Sequence, residues 1–271
     1  MRGTSRAVVW LGRAGYLARG VLYLTIGWLA ALVAFADVGG RLADSRGALD
    51  ELHRQPFGFV ALLLMTIGLA GYGIWRAVQA VLDPAHEAAG RWVAAKRIVW
   101  FLEALLHFGL AAYAMSLARG HAAGAGGEAD ARSGAASALA WGPLGPWLLA
   151  LAGSSLVAAG VYELVCAFRA ELDEQLDLSR LSAKARGLIL QLSRFGIAAR
   201  GVVFAVAGGF LFFAAATSDP RQARGLGGSL RALRDAPFGR LLLGGVALGL
   251  AAFGVYQLVE ARCRRLSGLR R

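Results

Sequence analysis

Six runs of about 20 or more mostly apolar residues, nearly free of charge, occupy positions 14–36, 57–82, 98–118, 144–168, 195–217 and 238–261. A helix needs about 20 residues to cross the hydrocarbon core of a bilayer, so each run can supply one span. Composition agrees. Hydrophobic residues make up 57% of the chain and charged residues 17%, with a mean hydropathy of +0.55; soluble domains run to about 45–50% apolar and about 25% charged. The expected fold class is an all-α integral membrane protein with six transmembrane helices.

The runs fall into pairs. Leu52-His53-Arg54-Gln55-Pro56-Phe57-Gly58 opens the second run and recurs as LAWGPLG (139–145) and LRDAPFG (233–239) before the fourth and sixth. A gapless shift of 181 brings Arg19-Gly20-Val21 onto Arg200-Gly201-Val202 and Pro56-Phe57-Gly58 onto Pro237-Phe238-Gly239, with roughly 20 of 72 positions identical. The middle copy has drifted: a shift of 87 maps Gly58 and Gly73 onto Gly145 and Gly160, and a shift of about 84 fits its first helix. Three tandem two-helix repeats follow, at 13–83, 97–169 and 194–265. Each has an even number of spans, so the copies share one orientation and predict a pseudo-threefold bundle.

The connections carry their own expectations. Leu49/Leu52, Ala136/Leu139 and Leu230/Leu233 are spaced i, i+3 and predict a short amphipathic turn lying in the membrane interface. The proline after it suits the first turn of the next helix, where a missing N–H costs nothing. The segment RGHAAGAGGEADARSGAASA (119–138) reads as a flexible loop. The first run is too long for a signal-peptide core of about 7–15 residues and reads as a retained span after a cytoplasmic N-terminus, 1–12. Residues 170–193 read as a cytoplasmic interfacial linker, a helix on the inner surface, or as a charged linker that extends an adjacent span. About 17 Lys/Arg flank one side of the membrane and about 10 the other, which puts both termini in the cytoplasm at a bacterial inner (plasma) membrane. Glycines along the spans are expected at helix contacts.

The formal charge of +12 and pI near 10.9 reflect arginines beside the spans, and no nucleic-acid-binding motif accompanies them. Cys166 and Cys263 have neither disulfide-framework nor metal spacing. His53, His86 and His121 lie in separate loops. No nucleophile, base and orienter set is present, so the sequence supports neither an enzyme nor a cofactor or metal site.

What remains is polar chemistry inside the membrane. At about 1.5 Å per residue, Arg19, Glu103 and Arg200 are equivalent positions about 9 Å deep on the odd spans, and Arg76, Glu163 and Gln257 are their counterparts on the even ones. Glu260 lies one turn beyond Gln257. Arginine can snorkel; glutamate is too short, and Glu103 and Glu163 must pair or face water. His107, one turn after Glu103, would form a proton relay with it or simply a hydrogen bond within the bundle.

At Arg13–Tyr23 (RAGYLARGVLY), Gln55-Pro56-Phe57-Gly58 and Gly68–Ala80 (GLAGYGIWRAVQA), the chain resembles the bacterial membrane family catalogued as domain of unknown function 1206. The resemblance covers nearly the whole chain and implies three two-helix repeats; it implies no activity. The middle repeat departs from it, with Glu103-Ala104 in place of Arg-Gly and Cys166 in place of Gln79. Two functions fit these readings. One is a structural or accessory membrane protein with an inner-leaflet salt-bridge ring, its partners the bilayer and anionic lipid at the cytoplasmic face. The other is a small transporter or channel with an ionisable path through the bundle.

Overall fold

The structure is a computed structural model of the chain and describes residues 6–35, 42–82, 91–121, 127–169, 176–179 and 182–264. The acidic half of the expected link (Glu171, Asp173, Glu174), His86, and Gly124 to Gly126 lie outside these residues. Nine α-helices are described: α1 (Arg6–Phe35), α2 (Ser45–His53), α3 (Gly58–Leu82), α4 (Arg91–Ala118), α5 (Gly127–Leu139), α6 (Gly145–Arg169), α7 (Ala183–Thr217), α8 (Leu226–Asp235) and α9 (Gly239–Cys263). Among the described residues there is no strand, only an isolated bridge between Leu176 and Arg264.

Six helices, α1, α3, α4, α6, α7 and α9, are long and apolar enough to cross a membrane, as the six apolar runs require. They pack in ring order. The closest packing joins different repeats: α3 to α4, α6 to α7, and α9 to α1. Within repeats, α1 packs on α3 and α7 on α9. The middle repeat is the exception to the expected symmetry, because α4 and α6 do not pack on each other and the ring is open at that edge. Only 17% of the apolar window is buried in each of α4 and α6, against 44–56% in the other four. Sequence explains part of the gap. The aromatic ring of Tyr72 in α3, repeated as Phe253 in α9, is replaced in α6 by Ala159.

Glycine sets the seams. A Cβ on Gly160 of α6 would lie 2.5 Å from the Gly201 carbonyl oxygen of α7, and one on Gly201 would lie 2.7 Å from that of Gly160. Gly254 of α9 meets Gly20 of α1 in the same register, each Cβ falling within 3.1 Å of the other residue's carbonyl oxygen. Without a hydrophobic force between spans, such backbone proximity carries the packing energy.

The short helices differ from the expected interfacial turns. Ala136 of α5 is exposed, but Leu49 of α2 and Leu230 of α8 are buried and belong to one apolar cluster with Leu22, Ile26, Leu62, Leu69, Leu243 and Leu250 of the long helices. They therefore plug the end of the bundle. The expected flexible loop at 119–138 is corrected by α5, which occupies Gly127–Leu139; its alanines favour helix. Pro56 and Pro237 precede their helices rather than lying in the first turn, while Pro143 sits in a 3-10 turn, Gly142–Leu144. The residue packed tightly there is the glycine. A Cβ on Gly58 would lie 2.7 Å from the His53 carbonyl carbon, and one on Gly145 would lie 2.7 Å from Leu139 Cα.

The link before α7 follows the second of its two readings in part. Residues 183–193 continue α7, a single 35-residue helix capped by Ser182, whose side chain accepts from the Ala185 N–H. Leu176 and Leu178 are buried against Ala167, Ile197, Phe253 and Tyr256, and the Asp177 N–H donates to the Cys263 carbonyl at 2.7 Å.

Candidate functional site

At the end of the bundle that carries the start of α1 and the end of α9, all six long helices contribute to one cavity of about 310 Å³. Seven of the eight polar residues singled out from the sequence line it: Arg19, Arg76, Glu103, Glu163, Arg200, Gln257 and Glu260. Their register is set by the glycine seams. Arg19 and Arg200 adjoin Gly20 and Gly201, while Glu163 and Gln257 follow Gly160 and Gly254 by three residues.

Two of the three seams carry an ion pair. Arg76 Nε of α3 lies 2.7 Å from Glu103 Oε2 of α4, although its single N–H donates to the Tyr72 hydroxyl at 2.8 Å and Glu103 Oε2 accepts no hydrogen bond. Arg76 Nη1 also donates to Gln79 Oε1 at 2.9 Å. Arg200 Nη2 of α7 lies 2.5 Å from Glu163 Oε1 of α6. Each glutamate of the middle repeat is thus bound to an arginine of an outer one. At the third seam the corresponding pair is Arg19 and Gln257. Arg19 donates instead to the Tyr72 hydroxyl, and Gln257 Oε1 has no partner. Glu260 is paired within its own helix, with Arg264.

Aromatic rings support the cations. The Arg19 guanidinium lies 4.5 Å from the Tyr72 ring centroid, and that of Arg200 lies 4.7 Å from Phe253 and 4.8 Å from Phe204. Such contacts contribute about 0.5–2 kcal/mol each. The Tyr72 hydroxyl accepts from both Arg19 and Arg76 and ties α1, α3 and the Arg76–Glu103 pair together. Sequence reasoning missed this tyrosine. Its signal was its place one turn before Arg76, which an i, i+4 reading would have found.

His107 is elsewhere. Its Nδ1–H donates to the Glu103 backbone carbonyl at 2.6 Å, and its ring lies 4.4 Å from that of Tyr72; it does not line the cavity. The Glu103 and His107 side chains form no relay in this geometry. Among the described residues no group of three or more His, Cys, Asp or Glu side chains could hold a metal ion.

The model of the family described as Domain of Unknown Function (DUF1206) matches three segments, residues 14–83, 98–170 and 195–264. The chain belongs to this family. Its segments coincide with the three helix pairs, so the repeat read from the sequence is the family's own unit. A similar protein from Bacillus subtilis (strain 168), "Uncharacterized protein YxxB", is 33% identical over 249 residues, covering 92% of this chain and 88% of that protein. No solved structure matches the chain.

Proposed function

We propose that this DUF1206 protein is a structural or accessory component of a bacterial inner membrane, inserted with both termini in the cytoplasm. Its inner-leaflet ion pairs lock three repeats together, and its arginine-rich inner face engages anionic lipid. The observation that carries this reading is the placement of Arg76–Glu103 and Arg200–Glu163: each joins the middle repeat to a different outer one. Their location on the positive side by the count of Lys and Arg supports the orientation. The opposite half of the bundle is filled by Leu22, Ile26, Leu62, Leu69, Leu243 and Leu250, and closed by α2 and α8. A sealed half suits a scaffold better than a conduit.

The transport reading draws on one observation, that the cavity reaches Glu103. Flux decides between the two. Purified protein in liposomes, assayed for proton, sodium and chloride flux, is expected to match protein-free vesicles, and Glu103→Gln is expected to lower thermal stability in detergent. A flux that Glu103→Gln abolishes without loss of stability would overturn the structural role.

A further inference from the structure

We propose that the cavity holds the headgroup of one anionic phospholipid, with Arg19 as the principal anion-binding residue and the gap between α4 and α6 as the opening through which the lipid reaches the bilayer.

The first observation is a charge imbalance set by the repeat. Four guanidinium groups, Arg19, Arg76, Arg200 and Arg264, and three carboxylates, Glu103, Glu163 and Glu260, line the cavity. Each carboxylate is already paired with one arginine, Glu103 with Arg76, Glu163 with Arg200 and Glu260 with Arg264. The fourth, Arg19, faces the seam where the carboxylate position is Gln257. Among the described residues no carboxylate lies within ion-pair distance of it. Arg19 is only 5% exposed and Gln257 2%, and Arg19 Nε and Gln257 Oε1 both lack hydrogen-bond partners. Arginine stays protonated, and a buried charge is stable only when it is paired.

The second observation is access. Val99 of α4 and Tyr162 of α6 both line the cavity and are both exposed, because their helices do not pack on each other. An anion that is part of a lipid can therefore place its phosphate among the arginines while its acyl chains stay outside, along the apolar faces of α4 and α6. The volume, about 310 Å³, lies at the lower end of the roughly 300–1,000 Å³ of ligand pockets, which suits a headgroup without its chains. Guanidinium and phosphate form strong charge-assisted hydrogen bonds. This inference rests on the membrane reading above but not on the scaffold role.

The test is native mass spectrometry of the purified full chain, titrated with dioleoyl phosphatidylglycerol, with dioleoyl phosphatidylcholine, and separately with inorganic phosphate. The wild type is expected to retain one phosphatidylglycerol about tenfold more strongly than phosphatidylcholine, and phosphate is expected not to displace it. Arg19→Gln should abolish the preference. Gln257→Glu should abolish it too, by supplying the carboxylate Arg19 lacks, and should unfold at an equal or higher temperature. This second variant decides the matter if Arg19→Gln fails to fold. Equal retention of the two lipids, displacement by phosphate, or a preference that survives in Gln257→Glu would overturn the proposal. The flux assay is independent of these outcomes, so loss of the lipid site and loss of the scaffold reading are distinguishable.

Discussion

Arg76 Nε on α3 lies 2.7 Å from Glu103 Oε2 on α4, and this pair closes the seam between the first two repeats inside the apolar part of the bundle. Removing one partner leaves the other charged in a poorly solvated place, a loss of about 3–5 kcal/mol for fully buried pairs. Both side chains retain some exposure, so Glu103→Gln is expected to cost about 2–3 kcal/mol. The double variant Arg76→Gln/Glu103→Gln should lose clearly less than the sum of the single variants. Thermal unfolding in a mild detergent measures both; strict additivity would mean that the pair does not couple the repeats.

The α6–α7 seam rests on backbone proximity at Gly160 and Gly201. Gly160→Ala places a methyl group 2.5 Å from a carbonyl oxygen, and overpacking of this kind costs about 1–3 kcal/mol. Because the packing of α6 on the other long helices is concentrated at α7, the substitution should also loosen α6 from the bundle. Faster amide exchange across Gly145–Arg169 than in the wild type, with α1 and α9 unchanged, is the expected signature.

Gly58 and Gly134 give a matched contrast. A Cβ at Gly58 collides with the backbone that ends α2, whereas one at Gly134 in α5 meets nothing within 4 Å. Gly134→Ala should therefore stabilise by about 0.5–1 kcal/mol through helix propensity, and Gly58→Ala should destabilise by about 1–3 kcal/mol. Chemical denaturation of the two variants side by side checks the sign.

These contrasts also mark what was legible in the sequence. Span count, the three-repeat unit and the clustering of polar positions toward one end of the spans followed from apolar length and from gapless alignment, because both are written residue by residue. That Glu103 and Glu163 need a partner or water followed from the cost of an isolated carboxylate, but which arginine each one meets, Arg76 and Arg200, is a tertiary fact. The meaning of the Pro-x-Gly entry did not follow either. The proline drew attention, yet the backbone proximity at Gly58 and Gly145 is a tertiary fact with no local sign. The open α4–α6 edge was equally hidden, since the part of it that the sequence explains, the absence of a ring at Ala159, is visible only once Tyr72 and Phe253 are seen to fill the equivalent sites. The burial of Leu49 and Leu230 in the bundle, rather than in the interface, depends on how much room the long helices leave between them.

Asp44, outside the spans, gives the fold a pH dependence. Its side chain accepts from the Gly47 N–H at 2.8 Å and caps α2, but burial pushes its carboxyl above the usual range, only partly offset by backbone N–H groups of Gly47 and Arg46. A carboxyl whose folded pKa is raised binds its proton more tightly when folded, so its contribution to stability is greatest below the unfolded value, about 3.9, and is lost as pH rises through the folded one. Asp44→Asn keeps a capping oxygen and removes the charge. The variant should be at least as stable as the wild type at neutral pH and should lack this decline, as denaturation followed from below the unfolded carboxyl value up to neutral pH would record.

The polar cavity ends against a packed apolar half of the bundle. Thiol accessibility tests this most directly. In a background without Cys166 and Cys263, single cysteines at Gln257→Cys and Ile26→Cys are treated in oriented vesicles with a membrane-impermeant thiol reagent from each side. Gln257→Cys should react from the cytoplasmic side only, and Ile26→Cys from neither. Reaction of Ile26→Cys from either side, or of Gln257→Cys from both, would contradict the account and establish a continuous aqueous path.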